Sequence, residues 1–308
     1  MRELLVVYCK GFAMGTADVV PGVSGATIAL IVGIYDRLIA AITAIDPRRL
    51  EPALRPRDRE ARTRLRTELE RMDLPFLITL GLGIATAIVV LSRVMHGAAT
   101  TYPVPTYGFF FGLIAASAVV LYGAVETWTP RRVLVSAAAI AIAFLVTGVT
   151  AGDASHGFVM VFLAGAIAIC AMVLPGVSGA FFLLVLGQYE YMTGVLSEFV
   201  DGTIALLNGE ALAPVLEAGT VVAVFGVGAV IGLFTMAHAV GYALERYRAA
   251  TLAFLVSLMV GALRLPVERV WANLGETPAG TPTVAVVAAV VGAGAVLLVD
   301  RYTDDLEY

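Results

Sequence analysis

Charge is scarce in this chain. Of its 308 residues 14% are Asp, Glu, Lys or Arg, against 59% hydrophobic. That balance excludes an ordinary soluble domain and describes an integral membrane protein. Lysine is nearly absent: Lys10 is the only one among 20 basic residues. The one basic cluster, within 46–73, is interleaved with acids, and the net charge is −4, which argues against nucleic-acid binding. The arginine-for-lysine bias and the acidic tail Asp304-Asp305-Leu306-Glu307 fit a GC-rich, halophilic archaeal host. Histidine and cysteine are rare. His96, His156 and His238 stand far apart near segment ends, and Cys9 and Cys170 lack metal spacing, so no metal or cofactor is expected. Both thiols lie in apolar segments and are expected to be buried. The first twenty residues do not read as a signal peptide, because Glu3 and Lys10 interrupt the apolar run.

What the chain does have is a repeat. Pro21-Gly22-Val23-Ser24-Gly25-Ala26 recurs letter for letter as Pro175-Gly176-Val177-Ser178-Gly179-Ala180. The match extends without a gap. Gly11 pairs with Gly165, Ala17 with Ala171, Gly33 with Gly187, Tyr35 with Tyr189, and Asp36 with Glu190. Each copy sits between apolar stretches of helical length. Proline removes a backbone donor and clashes with the preceding turn, and glycine costs about 1 kcal/mol relative to alanine in a helix. The chain therefore holds two broken helices, one per half. A single copy reads as a proline kink. Two at matching positions point to a transport site.

The expected fold is an all-α polytopic membrane protein of two inverted-topology repeats. Each repeat is a broken re-entrant helical hairpin plus three transmembrane helices. The first repeat, 1–150, has its hairpin at 3–45 with arms 3–20 and 26–45. A charged cytoplasmic segment, 46–73, follows, then spans 75–95, 107–126 and 133–150. The second repeat, 151–308, has its hairpin at 158–198 with arms 158–174 and 180–198. An acidic loop, 198–213, leads to spans 214–241, 249–265 and 283–300. Gly81-x-Gly83 recurs as Gly226-x-Gly228 in the span after each hairpin. Glycines in spans permit close helix packing. Trp128 and Trp271, at span ends, read as interface anchors.

Parity decides the symmetry. A re-entrant hairpin starts and ends on one side, and three spans then carry the chain across, so the second half begins on the opposite face. Charge agrees. The arginines of 46–73 with Arg131 and Arg132 are placed in the cytoplasm by the positive-inside rule. From Arg132 to Arg246 there is no basic residue, and the acidic 198–213 loop falls outside. Arg264 and Arg269 also fall outside and are the discordant pair. Both termini are then cytoplasmic, in a multi-pass protein of the cytoplasmic membrane. Lys10, Thr16 and Asp18 are costly against lipid, which favours tips that stop inside the membrane.

At each break a new helix begins near Ser24-Gly25 or Ser178-Gly179. Its first N–H groups lack intrahelical partners and carry roughly half a positive charge. Inverted repeats bring two such ends together near mid-membrane, where they form an anion site built largely of backbone. The candidate binding residues are Pro21, Gly22, Val23, Ser24 and Gly25 with Pro175, Gly176, Val177, Ser178 and Gly179. Lys10 and Arg37 are the nearest basic residues. Ser24 and Ser178 either cap their helices or donate to a ligand. Tyr35 and Tyr189, three turns on, either line the cavity or pack. Asp36 and Glu190 belong at opposite hairpin mouths, as coupling or gating groups. Asp18, whose counterpart is Met172, is either a proton-coupling carboxylate or the local partner of a backbone amide or Lys10.

The run from Gly11 through Ala17-Asp18-Val19-Val20-Pro21-Gly22-Val23-Ser24-Gly25, with Gly33-x-Tyr35-Asp36, resembles the signature of the polyprenyl-phosphate transporter family, long catalogued as a domain of unknown function. Leu174 to Gly179 with Gly187-x-Tyr189 resembles its second signature. Ala26 stands where many members have glycine. The resemblance covers nearly the whole chain. It implies a flippase that returns undecaprenyl phosphate, or in an archaeon a dolichyl-type phosphate, across the cytoplasmic membrane; proton or ion coupling is the expectation that rests on the first reading of Asp18. The same helix ends would also serve a channel or transporter for a small soluble anion. A membrane phosphatase needs a nucleophile with a general base, and no His lies within either motif.

Overall fold

The computed structural model describes the chain apart from residues 1, 45–68, 70, 124, 126, 154, 173–176, 210, 277–278 and 305–308. Most of the charged 46–73 segment, and Pro175 and Gly176, thus lie outside the described residues. The first half contains α1 (Arg2–Val19), α2 (Gly25–Ile31), α3 (Tyr35–Thr43), α4 (Leu74–Thr101), α5 (Pro103–Gly123) and α6 (Pro130–Asp153). The second contains α7 (Phe158–Met172), α8 (Gly179–Val185), α9 (Tyr189–Leu207), α10 (Ala213–Ala262), α11 (Arg264–Ala272) and α12 (Pro282–Asp304). Among the described residues there is no strand. Among the described residues six stretches are long and apolar enough to cross a bilayer: 74–101, 103–123, 130–148, 213–233, 246–272 and 282–301.

Both breaks form where the repeated motifs lie, and they match in detail. Ser24 and Ser178 are extended N-cap residues, at φ −112°, ψ 124° and φ −102°, ψ 124°. Each is followed by a seven-residue helix. Each short helix then ends at a left-handed glycine, Gly33 at φ 67° and Gly187 at φ 66°. The second arms are therefore not continuous over 26–45 and 180–198. Each is two helices joined at a glycine whose φ a side chain would resist. The next amide turns back alike in both copies: Ile34 N–H donates to Ala29 O at 2.9 Å, and Gln188 N–H to Leu183 O at 2.8 Å.

One further boundary differs from the expected one. The acidic 198–213 stretch is helical as far as Leu207, because α9 continues through it. The run α10 is two helices that meet at a kink at Tyr247 (φ −134°, ψ 36°), between the expected spans 214–241 and 249–265.

Glycine seams join the helices. A Cβ on Gly11 would lie 2.2 Å from Leu80 O, and one on Gly83 2.2 Å from Tyr8 O, so α1 and α4 touch backbone to backbone. The second half repeats the pair. Gly165 would meet Phe225 O at 2.2 Å and Gly228 would meet Phe162 O at 2.1 Å, which packs α7 on the start of α10. Across the halves α5 packs on α12, where Gly112 faces Ala289 O, and α6 packs on the end of α10, where Gly261 faces Ile140 O. Such contact gains dispersion energy that lipid cannot supply. The core between the halves is aromatic and aliphatic: Tyr107, Phe110, Phe181 and Tyr189 are all buried. Cys170 is buried as expected. Cys9 is exposed, since its face of α1 is turned away from α4.

Candidate functional site

The two breaks meet. Tyr189, at the start of α9, donates its hydroxyl to Val19 O at 2.8 Å. Ser178 Oγ lies 3.5 Å from Val20 O and accepts from Phe181 N–H at 3.3 Å. The second half thus reaches the carbonyls at the point where α1 stops, and Val20 O also accepts from Val23 N–H at 3.2 Å. From α5, Ser117 donates to Gly22 O at 2.7 Å. A small cavity beside this junction is lined by Gly22, Val177, Ser178 and Phe181, with Leu255 and Met259 of α10. Pro21, Ser24 and Ser178 are buried. Val23 packs against the aromatic core.

The two helix starts are satisfied differently. Asp18 accepts from Gly25 N–H at 3.0 Å, so a carboxylate of the chain itself already sits at the start of α2. Gly25 allows this, because a Cβ there would stand 2.4 Å from either carboxylate oxygen. In the second half Met172 occupies the place of Asp18, with its Cγ 2.5 Å from a Cβ built on Gly179. There Ser178 itself caps the helix. The asymmetry of the repeat, visible in the sequence as Asp18 against Met172, is therefore one of capping chemistry.

The other named residues lie away from the junction. Lys10 donates to Val32 O at 2.5 Å, at the far end of α2, where a cation offsets the helix dipole. Arg37 pairs with Asp73 at 2.6 Å and lies 4.2 Å over the Phe76 ring. Asp73 is the N-cap residue of α4, and its side chain makes this ion pair in place of a cap. Tyr35 packs against the cluster under α1, and Asp36 is exposed in the first turn of α3. Glu190 accepts from the Tyr107 hydroxyl and faces Arg269 at 3.7 Å. Tyr107 contacts Phe110 edge-on at 5.7 Å, and Phe110 contacts Tyr189 edge-on at 5.6 Å. These rings connect Glu190 to the junction.

Sequence reasoning missed four of these groups. Ser117 and Tyr107 carry no local signal, being single polar groups in an apolar span. Gln188, wholly buried, donates to Ser155 O at 3.1 Å and lies 3.2 Å from His156 Nδ1, which ties the starts of α7 and α9 together. Its repeat counterpart is Ile34, so the repeat concealed it. Arg269 did have a signal, as a basic residue on the side that charge bias leaves bare.

A polytopic α-helical membrane protein with two discontinuous helices joined inside its bundle is what this fold and site define. The chain belongs to the undecaprenyl phosphate translocase-like family, whose model matches residues 14–278. It is 37% identical over 260 residues to a polyprenyl-phosphate transporter of Vibrio cholerae, covering 84% of this chain and 76% of that protein. It is 33% identical over 266 residues to a polyprenyl-phosphate transporter of Staphylococcus aureus, covering 82% of this chain and 83% of that protein. No solved structure matches it significantly.

Proposed function

We propose that this chain is a flippase that carries a polyprenyl phosphate, undecaprenyl or dolichyl-type, across the cytoplasmic membrane, with its phosphate handled where the two breaks meet. The observation behind this reading is the contact of Ser178 and Tyr189 with the carbonyls of Val20 and Val19. It puts both repeated motifs at one place, as a single substrate path requires. Family membership supports the choice of lipid. A phosphate cannot cross hydrocarbon unaided, whereas a prenyl tail can remain in lipid throughout. The reaction is movement and not bond cleavage.

Asp18 is the proposed coupling group. Its carboxylate and a substrate phosphate would compete for the start of α2, and protonating Asp18 frees that end for the phosphate. The test is transport of labelled polyprenyl phosphate in proteoliposomes, with inorganic phosphate as a competitor. Wild type is expected to move the lipid, and Asp18→Asn to flatten the pH dependence of its rate. Ser24→Ala and Ser178→Ala are expected to slow transport by roughly two- to tenfold, the worth of one hydroxyl hydrogen bond. Transport of inorganic phosphate with no lipid movement would replace this reading with the soluble-anion one.

We propose further that the two repeats are inverted and that both termini are cytoplasmic. The reciprocal packing of α5 on α12 and α6 on α10 supports this, since a two-fold axis pairs second spans with third spans. An ion pair between Arg93 of α4 and Asp201 of α9 supports it as well, since the proposal has α4 run toward the face that holds the 198–213 stretch. In a cysteine-free background, Thr63→Cys should label from the cytoplasm and Asn208→Cys from outside. Labelling of both from one face would end the inverted-repeat proposal.

A further inference from the structure

Among the described residues four arginines have a carboxylate in reach, Arg93 having Asp201, and one of the four is poorly held. Arg37 has Asp73 at 2.6 Å. Arg264 has Glu268 at 2.6 Å and Phe144 O at 3.0 Å. Among the described residues the carboxylate nearest Arg269 is that of Glu190, at 3.7 Å, which is beyond hydrogen-bond distance. Its Nε is buried with no hydrogen-bond partner among the described residues. Glu190, by contrast, already has a second partner in the Tyr107 hydroxyl. The pair is thus lopsided: the acid can release the arginine and remain bonded, while the arginine has donors to spare.

Arg269 stands close to the end of the apolar stretch 246–272. Trp271, two residues on, is 77% exposed, as a tryptophan at the bilayer interface is. Arg269 lies 5.9 Å over the Tyr107 ring, the first of the chain of rings that ends at Tyr189 and Val19 O. A guanidinium presents a rigid fork that matches a phosphate's oxygens two at a time.

We propose that Arg269 is a second phosphate site, distinct from the junction of the breaks, which takes the phosphomonoester headgroup of a lipid at the mouth of the path. The phosphate displaces Glu190, which stays on the Tyr107 hydroxyl and returns to Arg269 when the headgroup moves inward. The site rests on the proposed transport of a polyprenyl phosphate, and its test is separable from that reading.

The probe is radiolabelled farnesyl phosphate, titrated onto the full chain in nanodiscs with farnesol and inorganic phosphate as competitors. Wild type should bind two equivalents. Gly22→Val should close the junction and leave one. Adding Arg269→Gln to Gly22→Val should weaken that remaining site by roughly tenfold or more, the worth of a charge-assisted hydrogen bond. Arg269→Lys should fall between, having the charge without the fork. Glu190→Gln should tighten the site, because it removes the competing acid. If Arg269→Gln misfolds, Arg269→Lys and Glu190→Gln decide the matter alone. A purely structural ion pair predicts equal losses from changing either partner, and that result overturns the proposal. So does binding at Gly22→Val that ignores Arg269, or wild type that binds no phosphate species. Arg269-dependent binding of inorganic phosphate but not farnesyl phosphate would keep the anion site and remove the lipid. Lipid transport that is intact in Arg269→Gln, with unaltered binding, would sink this site and leave the transport reading standing.

Discussion

Gly22→Val is expected to abolish transport while the protein still inserts and folds. Gly22 has φ 91°, a conformation that costs a side-chain-bearing residue about 1–3 kcal/mol and is worst for a β-branched one. A Cβ would also stand 3.2 Å from the backbone nitrogen of Ile114 and from Leu113, on the helix that supplies Ser117 to Gly22 O. The turn must therefore shift on α5, and with it the backbone that faces Ser178 and the cavity. Misplacing a positioned group by about 1 Å can cost on the order of a hundredfold in rate, and a loss of that size is expected here. Gly176→Val is expected to act alike by the repeat. The measurement is lipid transport per molecule in proteoliposomes, beside membrane yield and detergent chromatography. Wild-type transport by both variants would show that the breaks are kinks and that the phosphate passes elsewhere.

The largest effect on stability is expected from glycines two residues apart. Gly83→Val and Gly228→Val should each destabilise the protein by about 3 kcal/mol or more, because the new side chain meets the backbone carbonyl of Tyr8 or Phe162. Gly81→Val and Gly226→Val should be near neutral, since nothing lies within 4 Å of a Cβ at either position. Within each Gly-x-Gly only the second glycine is a seam. Thermal unfolding of the four variants in detergent checks this. Equal melting temperatures across them would mean that α1 does not pack on α4, nor α7 on α10, as described.

The contrast shows what the linear chain encodes. Local covalent chemistry was fully legible. Pro21 and Gly22 stop α1, Ser24 opens α2, and the copy at Ser178 does the same, because a missing N–H and a permissive φ act within a few residues. The apolar lengths of six spans were legible for a similar reason: the bilayer imposes one thickness on all of them. Even the asymmetry of the repeat was present, as Asp18 opposite Met172.

Tertiary structure decided everything that depends on which residues face each other. Gly33 and Gly187 look alike whether a helix continues or turns, and only the packed hairpins show that they turn. No periodicity distinguishes Gly81 from Gly83, and the neighbouring helix selects one of them. Nothing local says which amide Asp18 meets, and the fold gives it that of Gly25 and sends Lys10 to Val32 O. Tyr189 and Ser178 meet the carbonyls of Val19 and Val20 from a distance of more than a hundred residues along the chain. Arg269, merely a charge on the wrong side when read in one dimension, faces Glu190 only because α9, α5 and α11 converge. A sequence determines where a backbone must break, since that is settled by bonds between neighbours. Which groups fill the break is settled by packing, and packing exists only in three dimensions.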